Sequence, residues 1–331
     1  MGVSLRNAGY DKGFFKQTRL PCKVISIGNI AAGGTGKTPM TILVAKLLKE
    51  AGFRPVILSR GYGGKTPAAV NIVSDGKDIL LGPEEGGDEP VMMARACPGM
   101  PVISGRQRRV TGAYAVDHFL ADVLILDDGF QHRSLYRDMD IVLVDKDRPL
   151  GNGFMLPRGP LREPAKALRR ADLIVKTEIK TNPFADEPDI SFPDASIVFH
   201  GYRQPTGWTA GMSGQSCPPD YLKDKRLCAF AGIAVPDAFK KTLESLGLNV
   251  VVWIPFPDHH RYTEKDIAEI CRRSRDGAAD MIVATEKDGV KLSQHQAFLE
   301  KILLLKIEMV IRPSSDKLTS MIIDKLGAGR I

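Results

Sequence analysis

Cysteine is scarce in this sequence, and its spacing builds no shared site. The five residues are an odd number and lie far apart, without a Cys-x-x-Cys pair, at Cys22, Cys97, Cys217, Cys228 and Cys271. This spacing argues against a disulfide framework and against a zinc or redox motif. It is typical of a protein that works in the reducing cytoplasm.

Long apolar runs are absent as well. No stretch approaches the roughly 18 uninterrupted apolar residues that indicate a transmembrane helix, and the N-terminus has no apolar run of the kind that marks a signal peptide. We therefore expect a chain that neither spans a membrane nor is exported.

Acidic residues are outnumbered by basic ones, and aromatic residues are few. The chain has 39 Asp and Glu against 46 Lys and Arg, a formal charge of +7, and 7% aromatic residues. The positive charge favours anionic partners, yet no basic stripe interleaved with aromatics marks a nucleic-acid module. The sequence predicts phosphorylated ligands or an anionic membrane surface, no nucleic acid and no particular protein partner.

Two series of strand-like and helix-like segments divide the chain, whose 331 residues suffice for two cores. In the first series, short apolar runs typical of buried parallel strands occur at Lys23 to Ile27, Val56 to Ser59, Pro101 to Ser104, Val123 to Asp127, Asp140 to Val144 and Leu173 to Lys176. A segment rich in proline and acidic residues, 182–195, interrupts this pattern. We predict a first domain over residues 1–184, a linker region over 185–198 and a second α/β domain over 199–331.

The second series has the same alternation. Strands are predicted at Leu227 to Ala231, Val250 to Pro255, Met281 to Ala284 and Ile302 to Val310. Helices are predicted from Asp237 to Leu246, after Thr263 and at the end of the chain. Thr263 with Asp266 three residues later matches a capping box, which supports a helix start there.

A glycine-rich segment predicts a phosphate-binding loop. Residues 24–38 read VISIGNIAAGGTGKT: a strand, a glycine-rich turn and a helix that continues through Pro39 to Leu48. Backbone amides of such a loop surround phosphate oxygens, Lys37 reaches the β- and γ-phosphates, and Thr38 ligates Mg²⁺. The strict pattern requires glycine where this chain has Ala31. The residues predicted to bind ATP are Ala31, Ala32, Gly33, Gly34, Thr35, Gly36, Lys37 and Thr38.

A second acidic motif completes the predicted nucleotide site. The apolar run from Val123 ends in Asp127 and Asp128, and a P-loop site needs a carboxylate at the end of a neighbouring strand to hold Mg²⁺. We therefore predict an α/β fold with a P-loop NTPase-like parallel sheet and flanking helices, plus a second, smaller α/β domain.

Spacing alone gives several candidates for the residues that take part in proton transfer and phosphate binding. Asp88 and Glu89 in the segment EEGGDEP are candidates for a proton acceptor, and His259 in FPDHH is a candidate to support one. Arginines suited to phosphate recur at Arg108, Arg133, Arg137 and Arg162. Residue chemistry therefore predicts a P-loop phosphotransferase or NTPase with an unidentified acceptor.

Seven motifs in series resemble the tetraacyldisaccharide 4′-kinase family of lipid A biosynthesis. They run from residue 24 to residue 292 and read VISIGNIAAGGTGKTP, LSRGYGG, GDEP, ILDDGFQHRSLYRDMDIVLVD, LPRGPLREP, FPDHHRYT and ATEKDGVKL. The resemblance implies transfer of the γ-phosphate of Mg-ATP to the 4′-hydroxyl of a lipid disaccharide 1-phosphate, at the cytoplasmic face of the inner membrane. It makes residues 1–184 the kinase domain and has residues 199–331 close over its active-site cleft.

The same resemblance implies roles for individual residues. Asp88 becomes the expected base, His259 its partner and Lys37 a catalytic contact to ATP. Thr38 and Asp127 become the expected Mg²⁺ ligands, with Glu89, Asp128 and Glu163 as further candidates. The expected phosphate or substrate contacts are Arg108, Gln131 and Arg162. The family also tolerates a residue other than glycine at the position of Ala31.

The N-terminus departs from the family. Relatives usually begin with a longer amphipathic helix that docks on the bilayer, whereas this sequence begins MGVSLRNAGYDKGFFKQTRL. We expect peripheral membrane binding either through a longer start upstream or through other surface.

The alternative function is a P-loop regulatory or chaperone-type NTPase. Guanine-specific members usually carry Asn-Lys-x-Asp or Thr-Lys-x-Asp, and neither occurs here. Lys287 and Asp288 are adjacent, without the intervening residue.

Overall fold

A computed structural model describes residues 2–179 and 197–327. These residues form two compact units. Unit 1 contains residues 2–178, 197–203 and 309–327, and unit 2 contains Gln204–Glu308. Residues 185–196 of the predicted linker lie outside the described residues.

The strands of the described residues are numbered in the order in which they occur along the chain. The first seven are β1 (Lys23–Asn29), β2 (Pro55–Ser59), β3 (Asn71–Asp75), β4 (Pro101–Ser104), β5 (Val123–Asp127), β6 (Met139–Asp145) and β7 (Leu173–Ile179). The next six are β8 (Ile197–Ala210), β9 (Ser216–Cys217), β10 (Arg226–Ala231), β11 (Asn249–Pro255), β12 (Met281–Thr285) and β13 (Ile302–Arg312).

The helices alternate with these strands. The α-helices are α1 (Gly2–Asp11), α2 (Lys37–Glu50), α3 (Pro83–Gly86), α4 (Asp88–Ala96), α5 (Arg108–Phe119), α6 (Pro236–Ser245), α7 (Glu264–Asp276), α8 (Glu286–Lys291), α9 (Gln296–Leu299) and α10 (Ser315–Leu326). Short 3₁₀ segments cover Ala165–Arg170 and Pro219–Leu222.

Unit 1 is built on a mostly parallel sheet. Its strands lie in the order β7-β6-β1-β5-β2-β4-β3, and only β3 runs antiparallel to its neighbour among these strands. β1 pairs with β5 on one side and β6 on the other. Because the carboxyl ends of parallel strands lie at one edge of a sheet, the loops that follow β1 and β5 come together there.

Burial explains why these strands could be recognised in the sequence. β2 and β5 are buried at every residue, and β1 and β6 at all but one. A strand covered on both faces is apolar along its whole length rather than at alternate positions. The six strand segments predicted in this half are confirmed, as is the helix after the glycine-rich turn.

In unit 2, four parallel strands lie in the order β11-β10-β12-β13. One apolar cluster forms around Phe230, Ile270 and Leu304, and a second around Trp208, Leu227 and Leu243. The predicted capping box at the start of α7 is confirmed, since the Thr263 hydroxyl accepts from the Asp266 amide and the Asp266 carboxylate accepts from the Thr263 amide. The predicted α/β fold class is confirmed.

Within residues 2–179 and 197–327, no helix combines the length and the apolar character that crossing a membrane requires.

Candidate nucleotide site

The turn between β1 and α2 requires glycine at two positions. Gly33 and Gly36 adopt positive φ angles of 133° and 85°, a region that side chains with a Cβ rarely enter. A Cβ on Gly36 would lie 2.9 Å from the Cε atom of Met309. Any larger residue at this position would therefore have a strained backbone, and the end of the Met309 side chain would have to shift.

Side chains from three strands hold this turn in place. The Asn29 side-chain amide donates to Thr35 Oγ1 over 3.0 Å, and the Thr177 hydroxyl donates to the Thr35 carbonyl over 2.9 Å. Arg203 of β8 donates to the Gly34 carbonyl over 2.7 Å. Sequence reasoning assigned no role to these three residues, because only the fold brings β7 and β8 residues to the turn.

The N-terminus of α2 opens directly after the turn. It has no side-chain cap, and its fourth residue, Met40, is the first to donate back to the Gly36 carbonyl. The amides of the first turn therefore lack intrahelical acceptors and carry partial positive charge. Such a helix start binds phosphate.

Two carboxylates of different character lie beside this helix. Asp127 ends β5 and accepts a hydrogen bond from the Thr41 hydroxyl over 3.1 Å. Asp128 lies 3.7 Å from the Lys37 ammonium and accepts from Arg162 at both oxygens, over 2.8 and 2.7 Å. Thr41 lies one helical turn beyond Lys37, and its role was not evident from the sequence.

The electrostatics of the two carboxylates also differ. Burial raises the pKa of Asp127 to about 7, and the negative charges of Glu89 and Asp128 add to the rise. Burial also works against ionisation of Asp128, but Lys37 and Arg162 outweigh it and hold its pKa below the ordinary value. Asp128 is therefore ionised at neutral pH. Asp127 is ionised only in part, and an additional cation nearby would favour its ionised form.

The structure places two predicted phosphate contacts, Arg108 and Gln131, against the backbone of the site. Arg108 is 2% exposed and donates to the carbonyls of Gly105 and Asp127. Burial lowers the pKa of this guanidinium to about 10, so it stays charged at neutral pH. The Gln131 side chain donates to the Asn29 carbonyl over 2.9 Å.

Glu163, a candidate metal ligand, is fully buried. Its carboxylate accepts from Asn7 of α1 over 2.6 Å and from Arg170 over 2.9 Å. This contact joins α1 to the body of unit 1. Both contacts are made by the same carboxylate oxygen, Oε2.

The residues predicted to take part in proton transfer belong to both units of the chain. Asp88 and Glu89 open α4 in unit 1, where the partial positive charge of the helix start favours a carboxylate. His259 follows β11 in unit 2.

A cavity of about 600 Å³ adjoins the glycine-rich turn. It is lined by residues 30–35, by residues 143–145 at the end of β6, and by Arg148, Pro149, Gly151, Asn152 and Pro160. A volume of this order is typical of a small-molecule site.

The oxygen ligands predicted for Mg²⁺ fit that ion only together with a phosphate. No group of three or more His, Cys, Asp or Glu residues within the described ranges is arranged to hold a metal. Mg²⁺ is normally held by one or two carboxylates, waters and substrate phosphates. The buried Asp127 carboxylate, with its raised pKa, suits such a partial ligand set.

His132 lies shortly after Asp128 and is partly buried, and its surroundings favour the neutral ring. Burial lowers its pKa to about 4, and four positive charges contribute: Arg108, Arg137, Arg6 and Arg60. Its Nε2 atom lies 3.1 Å from the Ser134 hydroxyl. The folded state therefore favours the neutral imidazole.

Comparison with known proteins gives one consistent family. The model of the family described as tetraacyldisaccharide-1-P 4′-kinase matches residues 1–327. Tetraacyldisaccharide 4′-kinase of Syntrophus aciditrophicus is 52% identical over 324 residues, which are 95% of this chain and 87% of the relative. The enzyme of that name from Pelobacter propionicus is 40% identical over 323 residues, 96% of this chain and 88% of the relative.

A solved structure agrees. The crystal structure of LpxK from Aquifex aeolicus in complex with ATP is 34% identical, with a TM-score of 0.81. The match covers 98% of this chain and 95% of that chain.

We predict that His132 makes stability depend on pH. The unfolded histidine titrates near pH 6.5 and the folded one near 4, so its contribution is complete above about pH 6.5 and is lost as pH falls toward 4. Between about pH 7 and about pH 5, unfolding in urea should show wild type losing about 2 kcal/mol more than His132→Gln. Parallel losses in the two proteins would contradict the assignment.

Proposed function

The chain belongs to the tetraacyldisaccharide-1-P 4′-kinase family, and we propose that it transfers the γ-phosphate of ATP to the 4′-hydroxyl of a tetraacyldisaccharide 1-phosphate, forming lipid IVA. The observation that carries the proposal within unit 1 is the convergence of Lys37, Asp127 and Asp128 at the start of α2. This is the arrangement of a phosphoryl-transfer site. The regulatory or chaperone-type NTPase is not favoured.

The phosphates of ATP bind at the turn between β1 and α2. Backbone amides of the glycine-rich turn and of the start of α2, together with the ammonium of Lys37, hold the phosphate oxygens. The cavity beside the turn takes the base and ribose. When Lys37 engages phosphate, Arg162 still compensates the charge of Asp128 through its two hydrogen bonds.

Mg²⁺, when bound, neutralises developing charge on the phosphates. Asp127 and Thr38 would hold it, with Asp128 and Glu89 as further carboxylates. The Thr41 hydroxyl orients the Asp127 carboxylate by its hydrogen bond. The raised pKa of Asp127 fits a carboxylate that becomes fully ionised when a cation arrives.

Asp88 accepts the proton of the attacking 4′-hydroxyl, and His259 assists the same reaction. Phosphoryl transfer has a loose transition state, so catalysis depends mainly on positioning and charge neutralisation. A carboxylate at the start of α4 is a sufficient acceptor for a proton that leaves late. Arg108 contributes positive charge near the ends of β4 and β5.

The protein acts at the cytoplasmic face of the inner membrane as a peripheral protein. Phe14, Phe15 and Leu5 are 78%, 49% and 68% exposed, and Lys12 and Lys16 flank the two rings in the sequence. Exposed rings insert into the interfacial layer, and lysines favour anionic headgroups. The ion pair between Arg133 and Asp11 at 2.8 Å and the Asn7–Glu163 hydrogen bond tie this segment to unit 1.

The direct test is transfer of label from γ-labelled ATP to tetraacyldisaccharide 1-phosphate in detergent micelles with Mg²⁺. Wild type should label the lipid, and Lys37→Ala should abolish labelling because the γ-phosphate loses its cation. Release of free phosphate without lipid labelling would instead support the NTPase.

Replacement of Asp88 should separate catalysis from nucleotide binding. We expect Asp88→Asn to lower kcat by about 10²- to 10⁴-fold and to leave the Kd for ATP nearly unchanged in equilibrium dialysis. The control is Glu84→Gln, which alters an exposed acid of the preceding helix, α3; this acid pairs with Lys65. Equal losses in kcat and in ATP binding would remove Asp88 from the role of base.

Replacement of Phe14 should weaken membrane binding without affecting the fold. Because burying one large apolar side chain contributes about 1.5 kcal/mol or more, Phe14→Ser should reduce cosedimentation with anionic phospholipid vesicles about tenfold. The control is Tyr221→Ser, which alters a ring that is 52% exposed in unit 2. Equal binding by wild type and Phe14→Ser would show that docking uses other surface.

A further inference from the structure

A buried polar cluster in unit 2 is centred on Asp288, a residue of α8 that is 0% exposed. One carboxylate oxygen accepts from the Tyr262 hydroxyl over 2.9 Å, from the Gly232 amide over 3.1 Å and from Lys291 over 3.1 Å. The other oxygen accepts from the Thr285 hydroxyl over 2.6 Å. Lys291 also donates to the Gly232 carbonyl.

The cluster joins two chain segments that leave the same edge of the unit 2 sheet. Gly232 directly follows β10, and Tyr262 lies in the segment that follows β11. A Cβ on Gly232 would lie 3.0 Å from the Tyr262 hydroxyl and 3.2 Å from His260 Cβ. The two segments are therefore packed tightly as well as hydrogen-bonded.

Residues 256–262 form a short loop whose ends are fixed. The Phe256 ring stacks on His260 with centroids 4.6 Å apart and meets the Tyr262 ring edge-on at 5.2 Å. His260 Nε2 lies 3.1 Å from the Asp266 carboxylate. His259, between these anchored neighbours, has a φ of 56°. A left-handed non-glycine residue persists only where its surroundings impose it.

The start of α8 contacts this loop at a second point. Lys287, next to Asp288, lies 4.0 Å from the Asp258 carboxylate, and that carboxylate accepts from the His259 amide over 2.9 Å. Two consecutive residues of α8 therefore contact the loop on either side of His259 in the sequence: Lys287 contacts Asp258, and Asp288 contacts Tyr262.

Stability alone does not account for a buried carboxylate at this position. Withdrawing an ionised group from water is costly, and a well-packed apolar group of the same volume often stabilises a fold as well or better. The hydrogen bonds instead specify geometry. Burial and the Asp288 carboxylate raise the pKa of Tyr262 far above its ordinary value, so its hydroxyl remains a donor at physiological pH.

We propose that Asp288 is a positioning residue, which holds Tyr262 and through it fixes the loop that presents His259 for phosphoryl transfer. The inference rests on the proposed kinase function, because it assumes that His259 takes part in that reaction. Asp288 itself touches no reacting atom in this proposal. Its effect on turnover passes through the position of His259.

The test removes one oxygen atom from the cluster, in Tyr262→Phe, in the full chain. The matched control, Thr242→Val, removes another buried hydroxyl of unit 2, which donates to the Ala238 carbonyl within α6. The first readout is the imidazole NMR signal of His259, which is assigned by its absence from the spectrum of His259→Ala. Tyr262→Phe should shift this signal and Thr242→Val should leave it in place. This readout does not depend on lipid phosphorylation.

The second readout is kcat for lipid phosphorylation in a double-mutant cycle. Tyr262→Phe should lower kcat on the order of tenfold or more, because small displacements of an assisting group are costly. In a His259→Ala background the same change should have little further effect.

Three results would overturn the proposal. An unmoved His259 signal in Tyr262→Phe would show that the cluster does not fix the loop. Equal losses of kcat with and without His259 would show a structural role. A normal kcat in His259→Ala would remove His259 from the reaction. If wild type phosphorylates no lipid, the proposed function fails, and the NMR signal alone decides whether Asp288 holds the loop.

Discussion

Compensation of the negative charge at the end of β5 is the constraint on which the nucleotide site depends. Asp127 is buried, and the adjacent Asp128 side chain is 34% exposed. Two neighbouring charges of the same sign oppose each other's ionisation, so nearby cations are needed to compensate them. Lys37 and Arg162 supply that charge to Asp128, whereas Asp127 is left with a pKa of about 7. The negative charge of Asp127 is therefore not fully compensated, and one further cation would stabilise its ionised form. A magnesium ion that arrives with a polyphosphate meets this demand.

The glycine-rich turn also depends on contacts from neighbouring elements, although its ligand is an anion rather than a cation. A turn that offers amides to an anion must direct some carbonyls elsewhere, and each of these needs a donor. Thr177 and Arg203 satisfy the carbonyls of Thr35 and Gly34. Residues distant in sequence thus prepare the turn for phosphate before a nucleotide binds, which lowers the cost of ordering it.

Unit 2 uses buried polar contacts for a comparable purpose. The Asp288 cluster joins the segments after β10 and β11, and in our proposal it fixes the loop around His259. In both units, polar groups hidden from solvent hold the short segments that carry functional candidates, while the apolar strands provide rigid support. This division of roles explains why both sets of segments follow the carboxyl ends of parallel strands.

The sequence by itself determined the fully buried strands, the glycine-rich turn, the acidic end of β5 and the capping box of α7. Each of these depends on local residue chemistry: continuous apolar character, positive φ angles or a contact across three residues. The roles of Asn29, Thr41, Thr177 and Arg203 were decided by tertiary structure, because their partners lie on other elements or, for Asn29, across the glycine-rich turn. Glu163 shows the same limit, since its partner Asn7 is distant in the chain. Local patterns specify which elements form, and only packing decides which side chains meet.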